Sequence, residues 1–230
     1  MTGPTDYDDL ADRYAAGIDD RPWNELYERP ATIALLPSVD GKDVLDAGCG
    51  SGWYTEWLAD HGARTTGIDR SARMVEYAHM RLRGRATVQE GDASDLRGLR
   101  DASFDLIVSS LVIHYVHDLD QMFREWARVL RPDGTFVLST HHPMREVGTS
   151  SPAGYLATSL VEEHWRWLGA TMRFYQRPLR ALADPIANAG FVIERISEPT
   201  PSDALRDKDP RGHASLCRMP AFIFIRARKG

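Results

Sequence analysis

Three glycines in five residues, Gly48, Gly50 and Gly52, stand between an apolar run beginning at Asp43–Asp46 and a helical spacing over Trp53–His61. A strand that turns through glycines into a helix constrains this chain more than any other stretch. Glycine permits positive φ and removes the Cβ that would hold a ligand off the backbone. The next apolar run, Arg64–Ile68, ends at the acidic Asp69, 17 positions after Gly52. A carboxylate there can accept both hydroxyls of a ribose. Dinucleotide folds ask for G-x-G-x-x-G, yet the last position of that pattern, counted from Gly48, is Trp53; the chain reads G-x-G-x-G. That spacing argues against a dehydrogenase and suits a ligand without a phosphate, whose amino-acid tail lies across the loop.

The glycine turn belongs to a repeating rhythm. Residues 5–36 read as helical, with Tyr7, Leu10, Ala11 and Tyr14 on one stripe and Pro22, Pro30 and Pro37 as punctuation. A helix is expected over 71–82 with Ser71 as its N-cap. Strands are expected at 87–89, 104–109 and 135–140, and a helix at 119–130. Alternation of this kind implies a parallel sheet with helices on both faces. After 140 the rhythm breaks into an insertion, 143–177, that carries Tyr155, Trp165, Trp167, Phe174 and Tyr175. It resumes with a helix near 178–189, closed by Gly190, and a strand at 191–196. The stretch 198–218 reads as a loop with no helix, so the strand at 220–227 is expected to return antiparallel to its predecessor.

Composition narrows the function. The chain has 230 residues, 43% hydrophobic and 27% charged, as a globular protein does, and one domain over 1–230 is expected. Its formal net charge is −5, and no Lys/Arg block marks a nucleic-acid surface; Arg81, Arg83 and Arg85 read as a solvated helix end. Cys49 and Cys217 form neither a disulfide framework nor a CxxC zinc pair. The polar, acidic start lacks the features of a secretory signal, and no apolar run approaches the roughly 20 residues of a membrane helix. A cytoplasmic protein with no membrane partner is therefore expected; a homodimer is compatible with the sequence.

The runs DVLDAGCGSGWYTEWLADHG, GIDRSARMVEYA, GDASDL, FDLIVSSLVIHYVHDLD and VLRPDGTFVLST, in that order, resemble the successive motifs of class I S-adenosylmethionine (SAM)-dependent methyltransferases. The flavour is that of the ubiquinone/menaquinone-type small-molecule branch, and the likeness is best over about 40–142. It implies an α/β, Rossmann-like seven-stranded sheet, mostly parallel with an antiparallel last strand, an N-terminal helical lid over 1–40, and SAM as cofactor. By this resemblance Asp46, Gly48, Gly50 and Gly52 would hold the methionine part, and Asp69 the ribose. Gly91, Asp92 and Ala93 would meet the adenine, with Arg70 and Met74 packed near it. Ser109 and Ser110 would offer contacts to the amino group, and Tyr14 would cover the sulfonium. Ser109-Ser110-Leu111-Val112 departs from the Asn/Asp-Pro-Pro-Tyr/Phe run of amino methylases, which points away from nucleic-acid and protein-amide substrates. A non-methylating SAM binder, a sensor or a cyclase, is the alternative on the same fold.

Methyl transfer from a sulfonium is an in-line displacement, so alignment matters most, and a base is needed only where the acceptor must lose a proton. Ligands of open α/β sheets sit beyond the carboxyl ends of the strands. There His114, His141 and His142 are the candidate bases, since imidazole titrates near neutrality. No third ligand accompanies His141 and His142, so no metal is expected. Tyr115, Trp165, Trp167 and Tyr175 are the candidate walls of a pocket for a small aromatic or cyclic acceptor. On a helix, Trp165 and Trp167 could not share a face, and only one would point inward.

Overall fold

The computed structural model describes residues 4–5, 7–145 and 154–230. The expected lid at 1–3 and 6, and the expected insertion at 146–153, lie outside the described residues. The N-terminal segment is helical as expected: a 3-10 turn at Asp8–Leu10, α1 (Ala11–Gly17), a π-helical turn at Asn24–Glu28 and α2 (Arg29–Leu35). The alternating part follows as β1 (Asp43–Ala47), α3 (Trp53–Asp60), β2 (Arg64–Asp69), α4 (Ala72–Leu82), β3 (Thr87–Glu90), β4 (Phe104–Ser110), α5 (Leu119–Val129) and β5 (Leu130–His141). Next come β6 (Ser159–Trp165), β7 (Ala170–Gln176), α6 (Arg180–Asn188), β8 (Phe191–Ser197), α7 (Asp203–Lys208), α8 (Pro210–Leu216) and β9 (Phe222–Lys229).

Seven strands form one sheet in the order β3-β2-β1-β4-β5-β9-β8. The ladders from β3 to β5 are parallel, while β9 runs antiparallel to both β5 and β8. This is the Rossmann-like sheet with an antiparallel last strand that the sequence implies. Both faces are covered, which explains the unbroken apolar runs. Leu45 and Ile107 face one core with Phe123 and Trp126 of α5 and Ile186 of α6; Val44, Leu106 and Val108 face the other with Tyr27, Leu58 and Phe224. Ser71 caps α4 by accepting from Met74 N–H, as its position predicts.

Two expectations are corrected. The described part of the insertion after β5 holds a hairpin: β6 and β7 pair antiparallel from Ser159↔Gln176 to Trp165↔Ala170. The segment 198–218 holds two helices, α7 and α8, capped by Ser202 and Asp209. At six and seven residues they are too short to show a 3.6-residue period. They brace the N-terminal segment: Trp23 Nε1 donates to Asp209, and Lys208 pairs with Glu25 at 2.5 Å.

The N-terminal segment is locked to the sheet by a buried carboxylate. Glu28, 1% exposed, accepts from four hydroxyls: Thr32 and Tyr54 at 2.9 Å, Ser110 at 2.8 Å and Ser139 at 2.6 Å. These come from α2, α3, β4 and β5. Hydrogen bonds to a charged acceptor each contribute roughly 1.5–3 kcal/mol, which offsets the desolvation of the carboxylate. Glu28→Ala orphans all four donors and is expected to cost roughly 3–5 kcal/mol in urea-unfolding measurements. Glu28→Gln should cost less, because the hydroxyls can rotate to meet an amide.

Candidate active site

The carboxyl ends of β1, β2 and β4 open onto a cavity of about 370 Å³. Gly48 has φ +85°, and a Cβ there would collide with the Val112 side chain; Gly50 has φ +52°, and a Cβ there would point into empty space. The first glycine is thus required for packing, and the second leaves backbone open to a ligand. Asp69 stands beside them: its Oδ2 accepts from Gly50 N–H at 2.8 Å and its Oδ1 from Ser71 N–H at 2.9 Å. Burial pushes its pKa up, against those two backbone donors. A carboxylate has about four acceptor sites, so capacity remains for two hydroxyls. Across the cavity Asp92 Oδ1 accepts from Ser94 N–H and Oγ–H, and Met74, Gly91 and Ala93 complete that wall.

Behind the glycine turn the space continues as a recess of about 70 Å³, lined by Asp46, Glu28, Arg29 and Trp53. The Arg29 guanidinium lies 4.2 Å from the Trp53 ring centroid and donates to Asp19 O at 2.8 Å. Asp46 is 1% exposed and accepts from Thr55 Oγ at 2.6 Å. Burial pushes its pKa up to about 7, and the nearby Asp69 adds to the shift.

A second cavity, about 390 Å³, lies between the N-terminal segment and the β6–β7 hairpin. Its wall includes Trp165, Trp167, His114, His141 and Phe222, and it shares Tyr7, Tyr14, Leu111 and Tyr115 with the first cavity. The hydroxyls of Tyr7 and Tyr115 are 2.8 Å apart, and the Tyr14 and Tyr7 rings meet edge to face at 5.1 Å. His114 and His141 stack with centroids 3.9 Å apart and 10° between their planes. Burial drives both pKa values well below the ordinary 6.5, with Arg145 nearby adding to the effect, so both imidazoles are neutral near pH 7. His114 Nδ1 lies 3.2 Å from Thr140 Oγ, and His141 Nδ1 is buried with no hydrogen-bond partner.

The residues expected from the sequence divide accordingly. Tyr14, Gly48, Gly50, Asp69, Arg70, Met74, Gly91, Asp92, Ala93 and Ser110 line the first cavity, and Asp46 lines its recess. Gly52 and Ser109 do not reach the wall. A Cβ on Gly52 would press on Ala78, and Ser109 is fully buried with its Oγ donating to Ala47 O. His142, the residue after β5, lines neither cavity: its side chain turns away from that of His141, and its Nε2 lies 2.6 Å from Glu198 while its Nδ1 accepts from Met144 N–H. Tyr175 does not line the second cavity either, because it alternates with Phe174 along β7. Phe174 points inward, whereas Tyr175 packs on His117 and Arg177, off the second cavity. Trp165 and Trp167 both line that cavity, stacked at 6.2 Å, because a strand end and turn present them rather than a helix. The segment 198–218 gives neither cavity a residue.

Sequence reading missed Glu28, Arg29, Arg145 and Leu111. Leu111 has φ +56°, a strain of roughly 1–3 kcal/mol held by bonds from its N–H to Ser139 O and Oγ. The neighbouring serine-rich strand end was visible, but a non-glycine positive φ leaves no mark in composition. Among the described residues no group of three His, Cys, Asp or Glu could hold a metal ion, and no helix is long and apolar enough to cross a membrane.

A parallel sheet whose β1–α3 turn is glycine-rich, with an acidic residue ending β2, defines a Rossmann-like protein that binds a nucleoside-bearing ligand. The methyltransferase-domain family model matches residues 45–138. The crystal structure of an S-adenosylmethionine-dependent methyltransferase from Mesorhizobium loti is 31% identical with a TM-score of 0.78, over 93% of this chain and 100% of that one. An uncharacterized protein of Haemophilus influenzae is 28% identical over 90% of this chain and 88% of its own length. A ubiquinone biosynthesis O-methyltransferase of Rhizobium johnstonii is 27% identical over 67% of this chain, which spans 62% of that enzyme. The chain belongs to the class I SAM-dependent methyltransferases: it is an enzyme, and SAM is its cofactor. The non-methylating alternative is not favoured.

The raised Asp46 pKa sets a sign for stability. Without cofactor, the folded state keeps a proton that the unfolded chain releases above about pH 4. Stability should therefore fall as pH rises from about 4 to about 7 and then level off. Asp46→Asn should flatten part of that slope in thermal melts taken across the range.

Proposed function

We propose that this enzyme methylates a small aromatic or cyclic metabolite, and that the methyl group crosses the aperture of Tyr7, Tyr14, Leu111 and Tyr115. The observation that supports this reading is the meeting of two cavities of similar size at those four residues, one wall open backbone and carboxylate, the other aromatic. In the same reading Asp69 takes the ribose hydroxyls, and Asp92 the adenine amino group through the oxygen that Ser94 leaves free. Met74 and Arg70 flank the base, the Gly48–Gly50 turn passes along the methionine part, and Arg29 meets its carboxylate in the recess. The N-terminal segment is the lid and the β6–β7 hairpin the roof of the acceptor cavity. The run FDLIVSSLVIHYVHDLD and the Rhizobium relative support a place near the quinone-biosynthetic branch.

When bound, SAM supplies an activated methyl carbon on a sulfonium. The tyrosines offer that cation ring faces and neutral hydroxyls; burial raises the pKa of Tyr7, Tyr14 and Tyr115, so none carries a charge. Holding acceptor and methyl in line can lower the barrier by roughly 7–11 kcal/mol. His114 is the base for an acceptor that must lose a proton. With Nδ1–H donating to Thr140 Oγ, its Nε2 lone pair is left to receive that proton. Desolvation keeps the ring in the neutral, proton-accepting form.

Incubation with SAM and a panel of phenols, quinols and other cyclic metabolites should yield S-adenosylhomocysteine (SAH) above the acceptor-free rate. No increase with any cyclic acceptor, against turnover with a peptide or nucleic acid, would sink the reading. Asp69→Ala should weaken SAM binding about a hundredfold or more, since two charge-assisted hydrogen bonds of roughly 1.5–3 kcal/mol each are lost. His114→Ala should lower turnover by about 10² or more with SAM affinity little changed. Equal loss of SAM affinity would make His114 a cofactor-pocket residue instead.

A further inference from the structure

Four charged side chains reach the acceptor cavity: Arg21, Arg145, Arg166 and Glu163. Three guanidiniums around one cavity run against the chain's formal charge of −5. Arg145 is engaged, with one terminal nitrogen 2.8 and 2.9 Å from the two Glu163 oxygens, and Trp165 Nε1 donates to the same carboxylate at 3.0 Å. Arg166 is exposed. Arg21 differs from both. It is half-buried, its guanidinium carbon lies 4.5 Å from the Trp167 ring centroid, and no carboxylate of the described residues forms an ion pair with it. Asp209 acts on it only from a distance, being bonded to Trp23 Nε1 and Gly212 N–H. Burial lowers the Arg21 pKa, as expected of a cation held without a counter-ion.

We propose that the acceptor is an aromatic or conjugated carboxylate, and that Arg21 is the residue that binds its carboxylate. The inference rests on the reading of this cavity as the acceptor site. A guanidinium stacked on an indole keeps its N–H edges free in its own plane, the geometry that matches two carboxylate oxygens. The Tyr14 ring, at the aperture, lies 5.8 Å from Trp167. Trp167 thus carries the Arg21 guanidinium at 4.5 Å on one side and neighbours the aperture ring of Tyr14 on another, so the cation and the aperture flank one indole. A planar body lying beside Trp167 can place its acid at Arg21 and its nucleophilic atom toward the tyrosines. The neutral His114 and His141 place no competing charge between the two ends.

The test uses protein loaded with SAH and isothermal calorimetry. The probes are 4-hydroxybenzoate, 4-hydroxycinnamate and indole-3-acetate, each beside its primary amide. At least one acid should bind about tenfold or more tighter than its amide, since a charge-assisted pair replaces neutral hydrogen bonds. Arg21→Gln should erase that preference, and Arg21→Lys should restore part of it. The proposal is overturned if no acid outbinds its amide in the wild type, a comparison that needs no variant, or if Arg21→Gln keeps the preference. Failure of SAH itself to bind would instead bring down the reading of the first cavity, so the two failures are distinguishable.

Discussion

The Glu28 carboxylate is the buried polar anchor that ties the N-terminal segment to the sheet. Four hydroxyls from four elements converge on it, and two of them, Ser110 and Ser139, lie at the carboxyl ends of β4 and β5. A carboxylate in that position would be expensive to bury alone, because desolvation of an ion costs several kcal/mol. Satisfied by four donors, it fixes a distance instead. Arg29 follows Glu28 in the chain, and Tyr14 and Arg21 precede it in the same segment, so the anchor also sets where three cavity residues stand. Ser139 Oγ has a second task, accepting from Leu111 N–H. The anchor and the strained aperture residue are therefore two ends of one hydrogen-bonded chain.

Beyond that anchor the site is built from desolvated neutral groups. His114 and His141 are kept unprotonated, and the aperture tyrosines are kept far from ionisation, by burial above all. A developing or departing positive charge would meet ring faces and hydroxyl dipoles there rather than a competing cation. The charged groups sit at the periphery: Asp69 beside the first cavity, and Arg145, Glu163 and Arg21 beside the second. Electrostatic interactions act more strongly in such a medium than in water, which favours a site that places charge only at the two ends.

The cofactor side was legible in the sequence because its logic is local. Gly48, Gly50 and Asp69 sit in one strand–turn–helix–strand unit, from β1 to the end of β2, whose short connections bring them together. The acceptor side was not, because its residues meet only through tertiary pairing. Trp165 and Trp167 were assigned by helical reasoning, and the hairpin reversed the conclusion. His142 and Tyr175 were chosen by their place in the chain, yet in a strand one residue's shift moves a side chain to the other face. Arg145 finds Glu163 only once β6 is in place. The helices α7 and α8 were missed because two short capped turns carry no periodicity, although Ser202 and Asp209 stood at their starts.

The hairpin does not stand alone: Arg177, at its return to α6, is buried against the loop that follows β4. Its guanidinium donates to the carbonyls of Ile113, Val116 and His117, and its pKa is pulled down to about 10 by burial. Those carbonyls flank His114 and Tyr115. A rigid five-donor fork on three carbonyls specifies position more tightly than a flexible ammonium would. On the other side of the same loop, Tyr115 bonds to Tyr7 of the N-terminal segment. The loop bearing His114 is thus held from the hairpin by Arg177 and from the N-terminal segment by Tyr7. The hairpin and the N-terminal segment are therefore coupled through the short turn that carries His114 and Tyr115.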